Sequence, residues 1–325
     1  MAQAVSARVI LNPAAAGGAA LGSVDAIGAA LRSFDIRHDI VLTRSPGHGT
    51  ELARAAIADG VPLIAVAGGD GTLAEVVAAY VDAEGRPIAG PDLALLPLGG
   101  SGDFARTLGL QGTLGEAAAR IHHGTRRAVD LGLAFARISP DSSAPARRPF
   151  ISAVSVGLAG EALARLDVWA SAGSDARRYG TKLLGGRGKL LLGAARAIVD
   201  QRTVLVRAIV DGKEVFEGPA VAVAVANGRY FSSGLMIAPH ADPSDGRLEV
   251  VIVGDLPFVD IARWVPKLLR GSHLTEDRVF AFAGTHVVIE PLRPWAKVLC
   301  EADGAQAGML PMEARVLPGA LGFRV

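Results

Sequence analysis

The chain has 325 residues, half of them hydrophobic, and its 33 Lys and Arg against 32 Asp and Glu give a formal net charge of +1 at pH 7. That length favours about two domains over a single core, and the charge balance excludes the basic footprint of a nucleic-acid binder. No apolar run approaches the roughly 18 to 20 residues of a membrane span; the start "MAQAVSARVI" lacks the pattern of a secretory signal, and the lone Cys300 excludes an internal disulfide framework or a CxxC metal site, so the cytoplasm is the expected compartment.

From residue 7 to about 125 strand and helix patterns alternate. "ARVIL" (7–11), "DIVL" (39–42), "PLIAVA" (62–67) and "LALLPL" (93–98) read as strands, and 20–33, 50–59, 72–82, 101–107 and 114–123 as helices. Continuous apolar strands between helices predict a parallel sheet covered on both faces. After Asp130 the pattern changes to "AVDLGLAFARI" (128–138), "FISAVSVGL" (150–158), "TVLVRAIV" (203–210), "GPAVAVAVANG" (218–228), "GRLEVVIVGDL" (246–256) and "THVVIEP" (285–291). These are strands of an antiparallel second domain. "SPDSSAPARRP" (139–149) reads as a surface loop, and a helical stretch is expected near 177–200. The fold class is α/β plus β: an α/β domain with a parallel sheet over 1–128 and an antiparallel β domain over 129–305. The last segment, 306–325, could return to either.

Ligands of open α/β sheets bind beyond the carboxyl ends of the strands. Three turn segments fall there: "NPAAAGG" (12–18), "GGDGT" (68–72) and "GGSGDFAR" (99–106). Glycine lets the backbone approach an anion and aim N–H groups at it, and a following helix adds its positive end. Thr72 supplies a hydroxyl. Asp70 repels phosphate, so it acts through a divalent cation, water or a neighbouring N–H. GGDGT alone is a tight turn with an Asp cap; three such loops on one flank predict a phosphate site. No GxxxxGK[ST] is present, since Leu190 of "GGRGKLLLG" stands where Ser or Thr is required. The basic residues Arg177, Arg178, Lys182, Arg187 and Lys189 read as a solvated helix face or as a surface for anionic lipid. Trp169, Trp264 and Trp295 are assigned to core packing ahead of lipid anchoring.

"NP" (12–13), Thr43, "GGDGTLAEVV", "LPLGGSGDFAR", "AVDLG" (128–132), "VSVGLAGE" (154–161), "NGRYFSSGLMIAPHADPSDGRLEVVIV" (227–253) and "EADG" (301–304) together resemble the diacylglycerol kinase catalytic-domain family of bacterial lipid, sphingosine and ceramide kinases. The resemblance implies an N-terminal domain that binds ATP and a β-sandwich domain forming the other wall of a cleft, with the last segment returning to the first domain. It implies ATP contacts from Asn12, Pro13, Thr43, Gly68, Gly69, Asp70, Gly71, Thr72, Glu75, Gly100 and Ser101. Asp303 would accept the proton of the lipid hydroxyl. Asp70, Asp103 and Asp130 would join it in a carboxylate network bridged by water to Mg²⁺. A structural Mg²⁺ would sit on Asp245 and the carbonyls of Asp242 and Arg247. The lipid would be met at a membrane surface, peripherally, and a homodimer is open to such a chain.

The chain departs from the family's pattern at three places. Gly100 and Gly102 stand in a "GTxND" segment, with Ser101 as the available hydroxyl; Ala74 replaces a frequent Asn; and "DGE" becomes "DGA" at Ala305, leaving Gln306 or Glu301 to compensate. Beside the lipid kinase stand a nucleotide- or lipid-binding homologue with impaired catalysis, a sphingoid- or ceramide-type kinase, and an NAD kinase, which shares GGDGT but not the pattern over 227–253.

Overall fold

The computed structural model describes residues 6–98, 102–139, 142, 145–157, 203–231, 234–255 and 266–325. The first part runs β1 (Ser6–Leu11), α1 (Val24–Arg32), β2 (Arg37–Leu42), α2 (His48–Ala58), β3 (Leu63–Gly68), α3 (Asp70–Val77), β4 (Asp92–Pro97), α4 (Asp103–Thr107) and α5 (Leu114–His123). The strands pair in parallel in the order β4-β3-β1-β2. Side chains alternate across β3: Ile64 and Val66 enter one core with α2 and α3, while Leu63, Ala65 and Ala67 enter the opposite core with α1 and α5. A sheet buried on both faces explains why its strands read as unbroken apolar runs.

Helix ends follow local chemistry. Thr113 and Glu116 form a reciprocal capping box at the start of α5. The helix expected over 72–82 stops at Val77 and tightens into a 3-10 turn at Ala78–Tyr80. There Tyr80, buried, donates its hydroxyl to Pro91 O at 2.8 Å, which draws the chain toward β4.

The second part holds β5 (Arg126–Arg137), β6 (Ala146–Phe150), β7 (Ala153–Gly157), β8 (Val204–Val210), β9 (Lys213–Ala226), β10 (Leu248–Gly254), β11 (Val279–Gly284), β12 (His286–Pro291), β13 (Leu299–Ala302) and β14 (Ala305–Arg324). Pairing is antiparallel along β11-β10-β9-β7-β13-β14, with β8, β12, β5 and β6 attached around it. Val154, Val223, Val250 and Ile252 of β7, β9 and β10 share a core with Val206, Val287, Ile289 and Met312 of β8, β12 and β14.

Further expectations are corrected, and two strands were not foreseen. The 139–149 loop gives way to β6 from Ala146, a polar strand paired with β5 whose exposed Arg147 and Arg148 produce no hydrophobic run. The run 150–158 breaks at Ile151–Ser152, where the chain bends between β6 and β7. Strands β11 and β13 went unread because one alternates weakly and the other has four residues. Trp295 is 78% exposed rather than packed in a core. The expected 177–200 helix, with its basic residues, and Trp169 and Trp264 lie outside the described residues.

Two long strands join the parts. On β5, Val129, Leu131 and Leu133 belong to the core under α2 and α3, whereas Ala134 and Ala136 belong to the second core. β14 pairs with it and makes the same passage in reverse: Met312 and Ala314 lie in the second core, Leu321 and Phe323 in the first. Its end pairs in parallel with β4, Phe323 opposite Leu93.

Candidate active site

Chain order and strand order diverge between β1 and β3, because the step from β1 to β2 goes one way along the sheet and the step from β2 to β3 goes the other. A crevice opens at such a switch point, beyond the carboxyl ends of the strands. Asn12 leaves β1 there. Its N–H donates to Ala67 O at 3.0 Å and its side-chain amide to Thr72 Oγ1 at 3.1 Å, while its Oδ1 accepts the Ala14 N–H at 2.9 Å. Thr43, buried after β2, donates its N–H to Leu11 O at 2.9 Å.

Gly68 is obligatory for packing, since a Cβ there would meet Thr72 Oγ1 at 2.4 Å. At Gly69 and Gly71 a Cβ would meet nothing within 4 Å. The absence of a side chain at those positions leaves the backbone at the start of α3 uncovered, as close approach of an anion demands.

The two acids of this segment are committed to helix starts other than their own. Asp70 accepts the N–H groups of Asp103 and Phe104, both at 3.0 Å, closing the first turn of α4. Glu75 accepts Gly47 and Gly49 N–H at 2.9 Å each, at the start of α2. Each supplies the acceptors that orphan helix N–H groups need, with favourable charge at the positive helix end. Asp70 thus acts through neighbouring N–H groups, one of the routes open to it from sequence.

Asp303 and Gly304 form the two-residue turn between β13 and β14, with φ of +48° and +81° and Ala302 paired to Ala305. Such turns suit Asp-Gly because both residues occupy the left-handed region. The carboxylate is pinned by N–H groups at the β6–β7 bend: Ile151 to Oδ2 at 2.7 Å, Ser152 and Ala153 to Oδ1 at 2.8 and 3.1 Å. Burial pushes its pKa up, those N–H groups pull it back, and the nearby charge of Asp70 adds to the rise, leaving it at about 6.

These elements enclose a cleft of about 1240 Å³. Asn12, Gly69, Gly71, Thr72 and Glu75 line one wall; Ala302, Asp303, Gly304 and Ala305, with Arg147, Arg148 and Pro149 of β6, line the other. Thr43, Pro13, Gly68 and Asp70 are not among the lining residues. Gly100 and Ser101 lie outside the described residues.

Asp103 and Asp130 do not line this cleft. Asp103 is buried at the start of α4. Asp130 serves as a staple, its Oδ2 accepting Gly246 N–H and its Oδ1 accepting Gly319 N–H, both at 2.7 Å. Burial raises its pKa, the two N–H groups lower it, and Asp245 and Asp242 raise it further. Asp130 therefore ties the 242–247 loop and the β14 crossing to β5 instead of facing Asp303 across the cleft.

In that loop Asp242 Oδ1 accepts from Arg127 Nη2 at 3.0 Å and from Ser244 N–H at 3.1 Å, and Asp245 Oδ1 accepts the Arg247 N–H at 2.9 Å. Asp245 is exposed. Among the described residues no group of three or more His, Cys, Asp or Glu is spaced to hold a metal. A cation here would rest on Asp245 with backbone carbonyls and water, hard oxygen donors that suit Mg²⁺.

The position of Glu301 answers the question posed by Ala305. Ala302 and Ala305 pair and share the cleft side, so Glu301, one residue earlier on β13, projects from the opposite face. It is 2% exposed and accepts the Ser155 hydroxyl at 3.0 Å, and among the described residues its Oε2 has no hydrogen-bond partner. Burial pushes its pKa up, the Ser155 bond lowers it, and Asp303 raises it, to about 7. Glu301 does not replace the missing carboxylate in the cleft. Gln306, its register partner, is exposed.

Sequence reasoning missed Arg54, Thr50, Arg147 and Arg148 in the lining. Thr50 and Arg54 lie one helical turn apart on α2, a spacing visible in sequence, but nothing local says that this face opens on a cleft.

Comparison with known proteins agrees with this architecture. Residues 6–134 match the diacylglycerol kinase catalytic domain, and residues 168–325 the YegS C-terminal NAD kinase beta sandwich-like domain. The chain is 33% identical over 298 residues to a probable lipid kinase YegS-like from Xanthomonas euvesicatoria pv. vesicatoria, covering 90% of this chain and 85% of that one. It is 26% identical over 315 residues to a diacylglycerol kinase of Mycobacterium tuberculosis (strain ATCC 25618 / H37Rv), covering 96% and 92%. The crystal structure of a diacylglycerol kinase from Bacillus anthracis str. Sterne superposes with a TM-score of 0.68 at 22% identity, over 100% of this chain and 98% of that one, a likeness of fold. With a catalytic-domain match over the α/β part, a YegS-type match over the rest and a relative aligned across both parts, the chain belongs to the YegS-like lipid kinases of the diacylglycerol kinase catalytic-domain family.

Proposed function

We propose that this chain transfers the γ-phosphoryl group of ATP to a hydroxyl of diacylglycerol or a related lipid. The observation that carries the reading is the pinned Asp303 carboxylate on one wall of a cleft whose other wall presents Gly69, Gly71 and Thr72 at the start of α3. Phosphoryl transfer needs chiefly positioning and charge stabilisation, with a base in reach of the attacking hydroxyl. Backbone N–H groups at Gly69–Gly71 hold the phosphates together with the Thr72 hydroxyl, which accepts from the Asn12 amide and is left to donate its own proton. Asp303 accepts the hydroxyl proton as the acceptor oxygen bonds to the γ-phosphorus; the bond to the β–γ bridging oxygen breaks and ADP leaves. Asp70 holds the two glycine loops together through α4. Asp245, with the carbonyls of Asp242 and Arg247, would hold Mg²⁺, whose charge would stabilise a loop where Asp130, Asp242 and Asp245 gather.

A lipid acceptor brings the chain to a membrane surface as a peripheral protein. Among the described residues no helix is long and apolar enough to cross a membrane. The test is transfer of labelled γ-phosphate from MgATP to diacylglycerol, monoacylglycerol, sphingosine, ceramide and phosphatidylglycerol. One phosphorylated lipid supports the reading and names the acceptor.

Ala305 favours a second reading. The cleft lacks a carboxylate at that position, and Glu301 lies on the other face of the hairpin. A binding homologue would retain MgATP and phosphorylate none of the panel.

A further inference from the structure

The charged groups lining the cleft are not equally engaged. Both oxygens of Glu75 are taken by Gly47 and Gly49 N–H, the carboxylate of Asp82 by Arg86 and by the Glu84 N–H, and that of Asp303 by three backbone N–H groups. Arg147 donates to Ala83 O and lies over the Phe135 ring. Two charges remain: Arg54 on α2 and Arg148 on β6, both exposed, and among the described residues neither makes a hydrogen bond or an ion pair. They belong to different walls. Every acid of the lining is already hydrogen-bonded, so the side chains left to meet a ligand's charge are cationic.

The geometry points to Arg54 and Arg148 as a phosphate-binding pair, one from each wall, for a phosphate-bearing ligand of the cleft. The phosphate is either the triphosphate of the donor nucleotide or the headgroup of a phospholipid, and this inference rests on the kinase reading above. Guanidinium is suited to either, because its fork of donors matches phosphate oxygens two at a time. A ligand held from both walls would also draw them together, excluding water where the proton passes to Asp303.

The test compares the unmodified chain with Arg54→Gln and Arg148→Gln. Two probes are used: MgATP by titration calorimetry, and vesicles of phosphatidylglycerol against phosphatidylcholine by cosedimentation. Both side chains are exposed, so thermal unfolding of the variants should match the unmodified chain. Each variant is expected to weaken one probe by about ten-fold, the loss of one charge-assisted contact. Loss of MgATP affinity assigns the pair to the donor; loss of phosphatidylglycerol binding assigns it to a headgroup. Variants that bind both probes as the unmodified chain does overturn the pair and leave the kinase reading standing. An effect at only one arginine overturns the two-walled arrangement. No binding of either probe by the unmodified chain overturns the kinase reading and the pair together.

Discussion

Asp303 and Ala153 bind one another twice: the Asp303 N–H donates to Ala153 O at 3.0 Å, and the Ala153 N–H donates to Asp303 Oδ1 at 3.1 Å. This reciprocal clasp, with the Ile151 and Ser152 N–H groups, fixes the proposed base through backbone donors. A base of pKa about 6 is ionised above that pH and protonated below it. The kcat/KM of the transfer reaction should therefore rise through about pH 6 and level off at neutral pH. Asp303→Asn keeps a residue that tolerates the left-handed turn and an Oδ1 to accept from Ser152 and Ala153, while its amide nitrogen cannot accept from Ile151; it should fold with a lowered midpoint and lose about 10²- to 10⁴-fold in rate. A pH–rate profile and a circular dichroism melt of that variant check both halves.

Asp70 is predicted to matter through the loop it holds. Asp70→Ala removes the acceptor for Asp103 and Phe104 N–H, a change worth about 1 kcal/mol in comparable helix caps. Nucleotide affinity should fall together with the unfolding midpoint. Affinity lost at unchanged stability would argue for direct contact with the ligand instead.

At Asp130 the expected effect is on stability. Asp130→Ala leaves the Gly246 and Gly319 N–H groups without their acceptor and frees two chain segments at once, at a cost of about 2–3 kcal/mol. Urea unfolding measures it. Limited proteolysis should then cut within 242–247, where the stapled loop is released.

Glu301 makes a prediction with a definite sign. Its folded pKa of about 7 lies above the ordinary 4.5, so the folded protein holds a proton that the unfolded chain releases in that interval. The stability this contributes is fully present below about 4.5 and is lost as pH rises through about 7. Glu301→Gln cannot titrate and can still accept from Ser155. It should flatten this fall, gaining on the unmodified chain most clearly above pH 7. Asp303, raised likewise, loses its own contribution through about 6 in both proteins, so the difference between the Glu301→Gln variant and the unmodified chain isolates Glu301.

Much of the fold was legible because its signals are local. Apolar runs such as "PLIAVA" and the helices between them report a sheet buried on both faces, and "GGDGT" reports a turn ahead of a helix, since glycine and helix-start chemistry act within a few residues. The positions of Asn12, Gly69, Gly71, Thr72 and Asp303 around one cleft follow from those turns and the strand order. What the sequence determined by itself was which segments form strands, where the flexible turns lie and which residues carry chemistry.

Tertiary structure decided what those residues touch. Asp130 and Gly319 lie 189 residues apart, Ile151 and Asp303 152 apart, and their hydrogen bonds exist only after β5, β7, β13 and β14 have paired. The same long-range pairing put Glu301 on the face opposite Ala305 and turned Arg148, read as part of a polar loop, into a cleft residue on β6. The physical reason is that local propensity depends on near neighbours, whereas a carboxylate's partner, burial and charge environment are set by strands brought together from distant parts of the chain.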